Sequence, residues 1–313
     1  MVVGGTAPIF RVVFVHLGAY LFAFVAGSGL AVGAFELFGE HATLPPMPLT
    51  VIGAALSIFL GFRTNAAYGR YWEARTLWGR VVNASRHVAH QALAYLPGDV
   101  GDTAASVAPP SPVAEALIVR QAIYAHVLRC HCRGQDPAAD QHIVRLASDE
   151  QVRALGVTTN PPALLLRRSL VSLSEAAARG ELSEEKLRSF DASIRALIDA
   201  QGGIERILKT PLPVSYTYYA RRITVLYGLL LPWALTGHLG LLTLLIAPSV
   251  AMVFLLIDNA GDIIERPFSP GAFGLPLSSL SLTIERNLRE LVVDPSELPA
   301  PEAIGGPKKN VLM

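Results

Sequence analysis

The sequence predicts an all-α, polytopic membrane protein with four transmembrane helices and a large cytosolic helical region. Three observations carry that expectation. Of the 313 residues, 51% are hydrophobic and only 16% charged, with a mean hydropathy of +0.41, whereas a soluble domain carries about a quarter charged residues. The apolar residues gather towards the two ends of the chain and leave a charge-rich middle. That middle reads almost entirely as helix, with no strand alternation of useful length, no glycine-rich phosphate loop and no internal repeat.

The first apolar stretch, Val12 to Phe35, contains no Asp, Glu, Lys or Arg and lies between Arg11 and Glu36. It is long enough to cross a hydrocarbon core, which takes about 20 residues. Its one polar liability, His16, sits near the Arg11 end, within reach of the interface. Met1 to Phe10 lacks a basic n-region and the stretch after it is too long for a signal h-region, so the first span is expected to be retained. Gly29 with Gly33, and Ala23 with Gly27, offer a face for close helix packing, although glycine is simply common in membrane helices.

Glu36 to Ala42 then leads through Pro45-Pro46-Met47-Pro48 to a second apolar run, Leu49 to Phe62. Its 14 residues make only about 21 Å of helix. The helical pattern does not stop at Arg63, however, and continues without Pro or paired Gly until Pro97. One very long helix is predicted, half in lipid or protein and half projecting into water.

The third run, Ile223 to Ile257, is 35 residues without formal charge, read as a hairpin of two short or tilted helices turning near Thr236-Gly237-His238. Pro232 and Pro248 interrupt its arms, which membranes tolerate where freed carbonyls face protein or a water-filled cavity. Arginine placement sets orientation. Arg11 precedes the first span, Arg63, Arg70, Arg75 and Arg80 follow the second, and Arg221, Arg222 and Arg266 flank the hairpin. The opposite loops carry Glu36, Glu40, His41 and His238 and no Lys or Arg. Both termini and the middle are therefore expected on the cytoplasmic side of the cell membrane. The expected organisation is helices one and two in 1–62, a cytosolic helical region in 63–221, helices three and four in 222–258, and a cytosolic C-terminal segment in 259–313.

In the cytosolic middle, helices are predicted near Pro112–His131, Gln141–Leu155, Pro161–Arg179 and Ser183–Leu208, with Gly98 to Pro112 a flexible loop. Asn160 before two prolines and Ser183 before Glu184 and Glu185 are N-cap signals. Chemistry is sparse. Net charge is +1, which does not favour nucleic acid. Cys130 and Cys132 read as reduced structural thiols, without a second ligand pair at zinc spacing. His87 and His90 share a helix face but lack a carboxylate or third ligand, and His126 and His142 have no partner in the sequence either. No Ser-His-Asp ordering, H-E-x-x-H or EF-hand loop is present, so no enzyme, cofactor or metal is expected.

Two stretches stand apart. Where the long helix leaves the membrane, the order is Phe62-Arg63-Thr64-Asn65-Ala66-Ala67-Tyr68-Gly69-Arg70-Tyr71-Trp72-Glu73-Ala74-Arg75. An interfacial aromatic belt with Arg70 and Glu73 placed to pair would look like this. After the hairpin comes Asp258-Asn259-Ala260-Gly261-Asp262-Ile263-Ile264-Glu265-Arg266-Pro267-Phe268, followed by Leu275-Pro276-Leu277 and Thr283-Ile284-Glu285-Arg286-Asn287-Leu288. The first resembles the second-helix signature of bestrophins, and the second is similar to their G-x-x-I-E-D-P-F-G, L-P-L and I-E-x-x-L patterns. Arg70, Trp72, Glu73, Gly261, Glu265, Pro267 and Phe268 carry the match, which runs from about residue 10 to 290.

The resemblance implies a homopentameric ring around one central pore, passing small inorganic ions across the bilayer; the family includes both chloride- and cation-conducting channels, and chloride is favoured here over monovalent cations. It places a hydrophobic neck at Ala54, Ile58 and Phe62 on the second helix and a cytosolic aperture at Leu212. By themselves the neck residues form an apolar stripe that could equally face lipid, and Pro211-Leu212-Pro213 is simply a stiff turn. Arg63, Arg70, Arg221 and Arg222 would favour anions if they faced the lumen, but the positive-inside rule explains them equally. Arg266 stands where the family has Asp, Ser269 where it has Gly, and 269–282 has no acidic residue, so the calcium gating of animal bestrophins is not expected. A small-solute transporter would usually show repeated halves, which are absent; a membrane-anchored scaffold whose cytosolic helices bind a partner is the other alternative, and a monomer in detergent would leave no shared central pore.

Overall fold

The computed structural model describes residues 17–98, 110–271 and 273–292. Arg11 to His16, most of the predicted loop before Pro112 and the segment after Val292 lie outside the described residues. Among the described residues there is no β-strand, and the secondary structure is helical. Three stretches are long and apolar enough to cross a membrane: Gly18–Ala42, Pro46–Tyr95 and Tyr216–Ile264. The last holds two helices rather than one.

The described chain forms two compact units, one from 17–72 with 211–267 and the other from 73–210 with 268–292. In the first, α1 (Gly18–Phe38) ends at Gly39, whose φ of 59° only glycine adopts without strain. The long helix α2 (Pro46–Tyr95) starts with Pro46 rather than after Pro48, because a proline at the first helical position forfeits no hydrogen bond. Its 50 residues make about 75 Å of helix and belong to both units. Helices α8 (Val214–Leu239) and α9 (Thr243–Ile264) run antiparallel, with Arg221 facing Asp258 and the Tyr227 and Phe254 rings 5.3 Å apart. They turn through Gly240–Leu242, four residues beyond the predicted turn, and Pro232 and Pro248 interrupt neither.

In lipid the hydrophobic effect does not drive helices together, so close van der Waals contact must. That contact is made at Gly228, where a Cβ would stand 2.6 Å from the Phe24 ring of α1 and 2.9 Å from Ala251 Cβ of α9. Gly53 does the same on α2, lying under Tyr227 with its missing Cβ 2.6 Å from the hydroxyl. Gly29 and Gly33, which the spacing singled out, have nothing within 4 Å, and Gly27 meets only Leu229.

The second unit is a helical bundle. Helix α3 (Pro112–Arg133) packs on α6 (Pro161–Ala178), α7 (Glu184–Lys209) and α10 (Leu277–Glu290) around Leu117, Leu128, Leu166, Leu173, Phe190 and Leu197. Ser111, Asn160 and Ser183 cap their helices through side-chain oxygens. The single helix expected over Gln141–Leu155 is two, α4 (Gln141–Leu146) and α5 (Asp149–Val157), because Ser148 forms a capping box with Gln151 and starts a new helix. Cys130 and Cys132 are buried free thiols. Burial pushes Cys130 up to about 11 and Cys132 higher still, which leaves both as inert thiols.

Candidate pore helix and its buried anchor

Burial on α2 follows a three-then-four spacing along Gly53, Leu56, Leu60, Arg63, Ala67, Ala74, Leu77, Val81, Ser85, Val88 and Ala92. Such a seam keeps one side of a long helix against protein. Leu49, Leu56 and Leu60 pack there against Ala220, Tyr227, Leu231 and Ala247 in the first unit, and Leu77 lies against Gly203 in the second. Ala54, Ile58 and Phe62 fall outside the seam on one exposed strip, with Ile58 61% and Phe62 66% exposed. Leu212 is half-buried in the non-helical link before α8.

Arg63 is the one charge inside the apolar part of the seam. It is 1% exposed, so an unpaired guanidinium there would be prohibitive. The sequence supplies its counterions at the end of α9 and just beyond it: Arg63 Nη1 is ion-paired with the equally buried Asp258 carboxylate, 195 residues later, and donates to the Asp258 carbonyl at 2.9 Å. Nη2 stands 3.7 Å from Asp262 Oδ1 and 3.8 Å from Glu265 Oε2. Arg221 pairs with the other Asp258 oxygen, Thr217 donates to Glu265 Oε2 at 3.3 Å, and Arg70 Nε donates to the Glu265 carbonyl at 2.9 Å. Gly261 packs beside them, a Cβ there standing 3.4 Å from Thr64 Oγ1 and 3.6 Å from Arg63 Nη1, in ordinary contact. The buried Arg63–Asp258 pair thus joins α2 to α9, with Arg221 of α8, Arg70, Asp262 and Glu265 around it, and the two sequence stretches meet there.

Glu73, which spacing placed within reach of Arg70, is ion-paired with Arg206 of α7. Trp72 is 59% exposed, Glu265 and Pro267 are buried, and Phe268 is buried in the second unit. The decisive residue that spacing did not single out is Asp258; an isolated acid at the end of a long apolar run was the available signal.

The profile of the family described as Bacterial/Fungal Bestrophin protein matches residues 9–290. The chain belongs to this bestrophin family. Among its relatives, a voltage-dependent anion channel-forming protein of Ralstonia nicotianae is 35% identical over 253 residues, covering 81% of this chain and 79% of that one. One of Escherichia coli is 33% identical over 257 residues, covering 81% and 78%. The crystal structure of a bacterial bestrophin homologue from Klebsiella pneumoniae is 30% identical, with a TM-score of 0.80 over 90% of this chain and all of that one.

Away from this bestrophin helix, the structure corrects one expectation about histidines. His126 and His142 do have partners: their rings stack, and His126 Nε2 lies 2.8 Å from Glu285 Oε2. No sequence spacing could join positions 126 and 285, which meet only because α10 packs on α3. His87 and His90 are exposed on α2.

Proposed function

We propose that the chain is one subunit of a homopentameric anion channel of bestrophin type. It crosses the cell membrane four times, with α8 and α9 as separate spans and both termini cytoplasmic. Membership of the family, together with the relatives' description as voltage-dependent anion channel-forming proteins, is what carries this reading. Five copies of α2 line the pore, with Ala54, Ile58 and Phe62 as the neck. Rings of apolar side chains gate by dewetting rather than by holding an ion. The observation favouring α2 is its division into a buried seam and an exposed apolar strip. Ala54 leaves its ring wider than those of Ile58 and Phe62. A second constriction at Leu212 forms the cytosolic aperture.

The charges near the cytosolic end of α2 bear on ion sign. Arg63, Arg70 and Arg221 are occupied by Asp258, Asp262 and Glu265, and Arg222 lies over the Tyr218 ring at 5.1 Å. Arg63 is buried and cannot serve as a lumen charge. Selectivity for anions then rests on the relatives' chemistry rather than on an arginine ring, and a monovalent cation channel of the same fold is the competing reading.

Planar-bilayer recording of the purified full chain in asymmetric KCl decides between them. Reversal near the chloride potential is expected, and reversal near the potassium potential overturns the anion sign. Ile58→Ala with Phe62→Ala should raise conductance by widening the neck. Absence of current from both wild type and this variant overturns conduction. Light scattering in detergent should give five copies of the 33.5 kDa chain; a monomer would leave no shared pore.

A further inference from the structure

The second unit gathers three metal-ligating side chains from three different helices. His126 of α3, His142 of α4 and Glu285 of α10 each offer a ligand atom, and these atoms all lie within 4.8 Å of one another. His126 and Glu285 are buried and His142 is half-buried. Glu285 engages His126 Nε2, but His126 Nδ1 is buried with no hydrogen-bond partner. The His142 ring lies over that imidazole, with centroids 4.8 Å apart and planes 7° from parallel. An unsatisfied polar atom in a protein interior is costly, and a stacked ring returns no hydrogen bond for it. His126 therefore has more coordination capacity than its protein neighbours use.

We propose that His126, His142 and Glu285 form a binding site for a divalent transition-metal ion such as Zn2+, clamping α3, α4 and α10 together. Two imidazoles and a carboxylate are the N2O donor set that borderline ions take in preference to Ca2+ or Mg2+, and they leave a fourth position for water. Around a tetrahedral ion with bonds of 2.0–2.1 Å, donors stand roughly 3.3 Å apart, so the site must contract by about 1.5 Å. His142 is the residue able to move. It lies at the start of the six-residue α4, and its ring must turn because parallel imidazoles do not aim their lone pairs at one point. His126 and Glu285 are held by the packing of α3 on α10.

One further condition for a metal site is met: Arg145 and Arg289, the cationic partners of Glu285, are 52% and 43% exposed, so both guanidinium heads can return to water when a cation enters.

Calorimetric titration of ZnCl2 into chelator-stripped full-length protein in detergent tests the site, with Co2+ absorption as a second readout. One Zn2+ per chain and the visible bands of tetrahedral Co2+ are expected. His142→Ala should weaken binding by more than about 100-fold, the upper end for losing even an outer-sphere partner. Zn2+ should raise the thermal midpoint of wild type and not of this variant, whose own metal-free transition checks that it folds; His142→Asn replaces it if it does not. His87→Ala with His90→Ala should bind as wild type does. The site is overturned if wild type binds neither ion, if the His142 variant binds unchanged, or if removing His87 and His90 abolishes binding. None of these results depends on conduction.

Discussion

Asp258→Asn removes one charge from the lattice around Arg63 and changes almost no volume. Both Arg63 and Asp258 are 1% exposed, so neither can rehydrate in the folded protein. Breaking a buried pair by neutralising one partner costs about 3–5 kcal/mol, because the other charge stays desolvated. The lower end applies here, since Asp262 and Glu265 still stand 3.7 and 3.8 Å from Nη2. Arg221 adds little: its side chain is 27% exposed and can turn to solvent. A loss of about 3 kcal/mol lowers the midpoint of a large domain by roughly 6–12 °C. Tryptophan fluorescence during heating of the detergent-solubilised chain reads this directly. Asp262→Asn is the internal control, being 32% exposed and more distant, and should cost less than about 1 kcal/mol. Arg63→Met with Asp258→Leu should recover most of the loss, because an apolar pair carries no desolvation penalty. Equal midpoints for Asp258→Asn and Asp262→Asn, or a double variant no better than the single one, would refute the assignment of Asp258 as the main counterion.

Other perturbations follow from the packing. Gly228→Val should destabilise by about 1–3 kcal/mol, through the overlap its Cβ makes with Phe24 and Ala251, while Gly29→Val should be near neutral; thermal midpoints compare them. Glu73→Gln should change stability by under about 1 kcal/mol, since Glu73 and Arg206 are 45% and 67% exposed, and a double-mutant cycle measures it. Cys130 and Cys132 should resist maleimide at pH 7 in the folded protein and react at once in denaturant. Raising the pH towards 11 should speed Cys130 first, because burial holds its thiol protonated to about that value.

Several features were legible because they depend only on neighbours in the chain. The capped starts at Asn160 and Ser183 and the run of α2 past Arg63 needed no knowledge of the fold. The split at Ser148 was missed although its signal is local: Ser148 and Gln151 have capping-box spacing within a pattern that otherwise continued. Helix α10 was legible only as the motif Thr283 to Leu288, not as an element. Gly29 and Gly33 had the right spacing for close packing, yet the contact went to Gly228, because spacing cannot say which face meets a neighbour.

The sequence by itself determined that the chain is helical, that it has apolar stretches of membrane length, and that two motifs mark it as a bestrophin. Hydropathy, periodicity and residue order are all properties of short windows. Only tertiary structure decided what Arg63 is for. A buried guanidinium needs a counterion within a few ångströms, and Asp258 lies 195 residues away in the chain until α9 packs against α2. The same reason hid the meeting of His126, His142 and Glu285, since their chemistry exists only where three helices bring them within 4.8 Å.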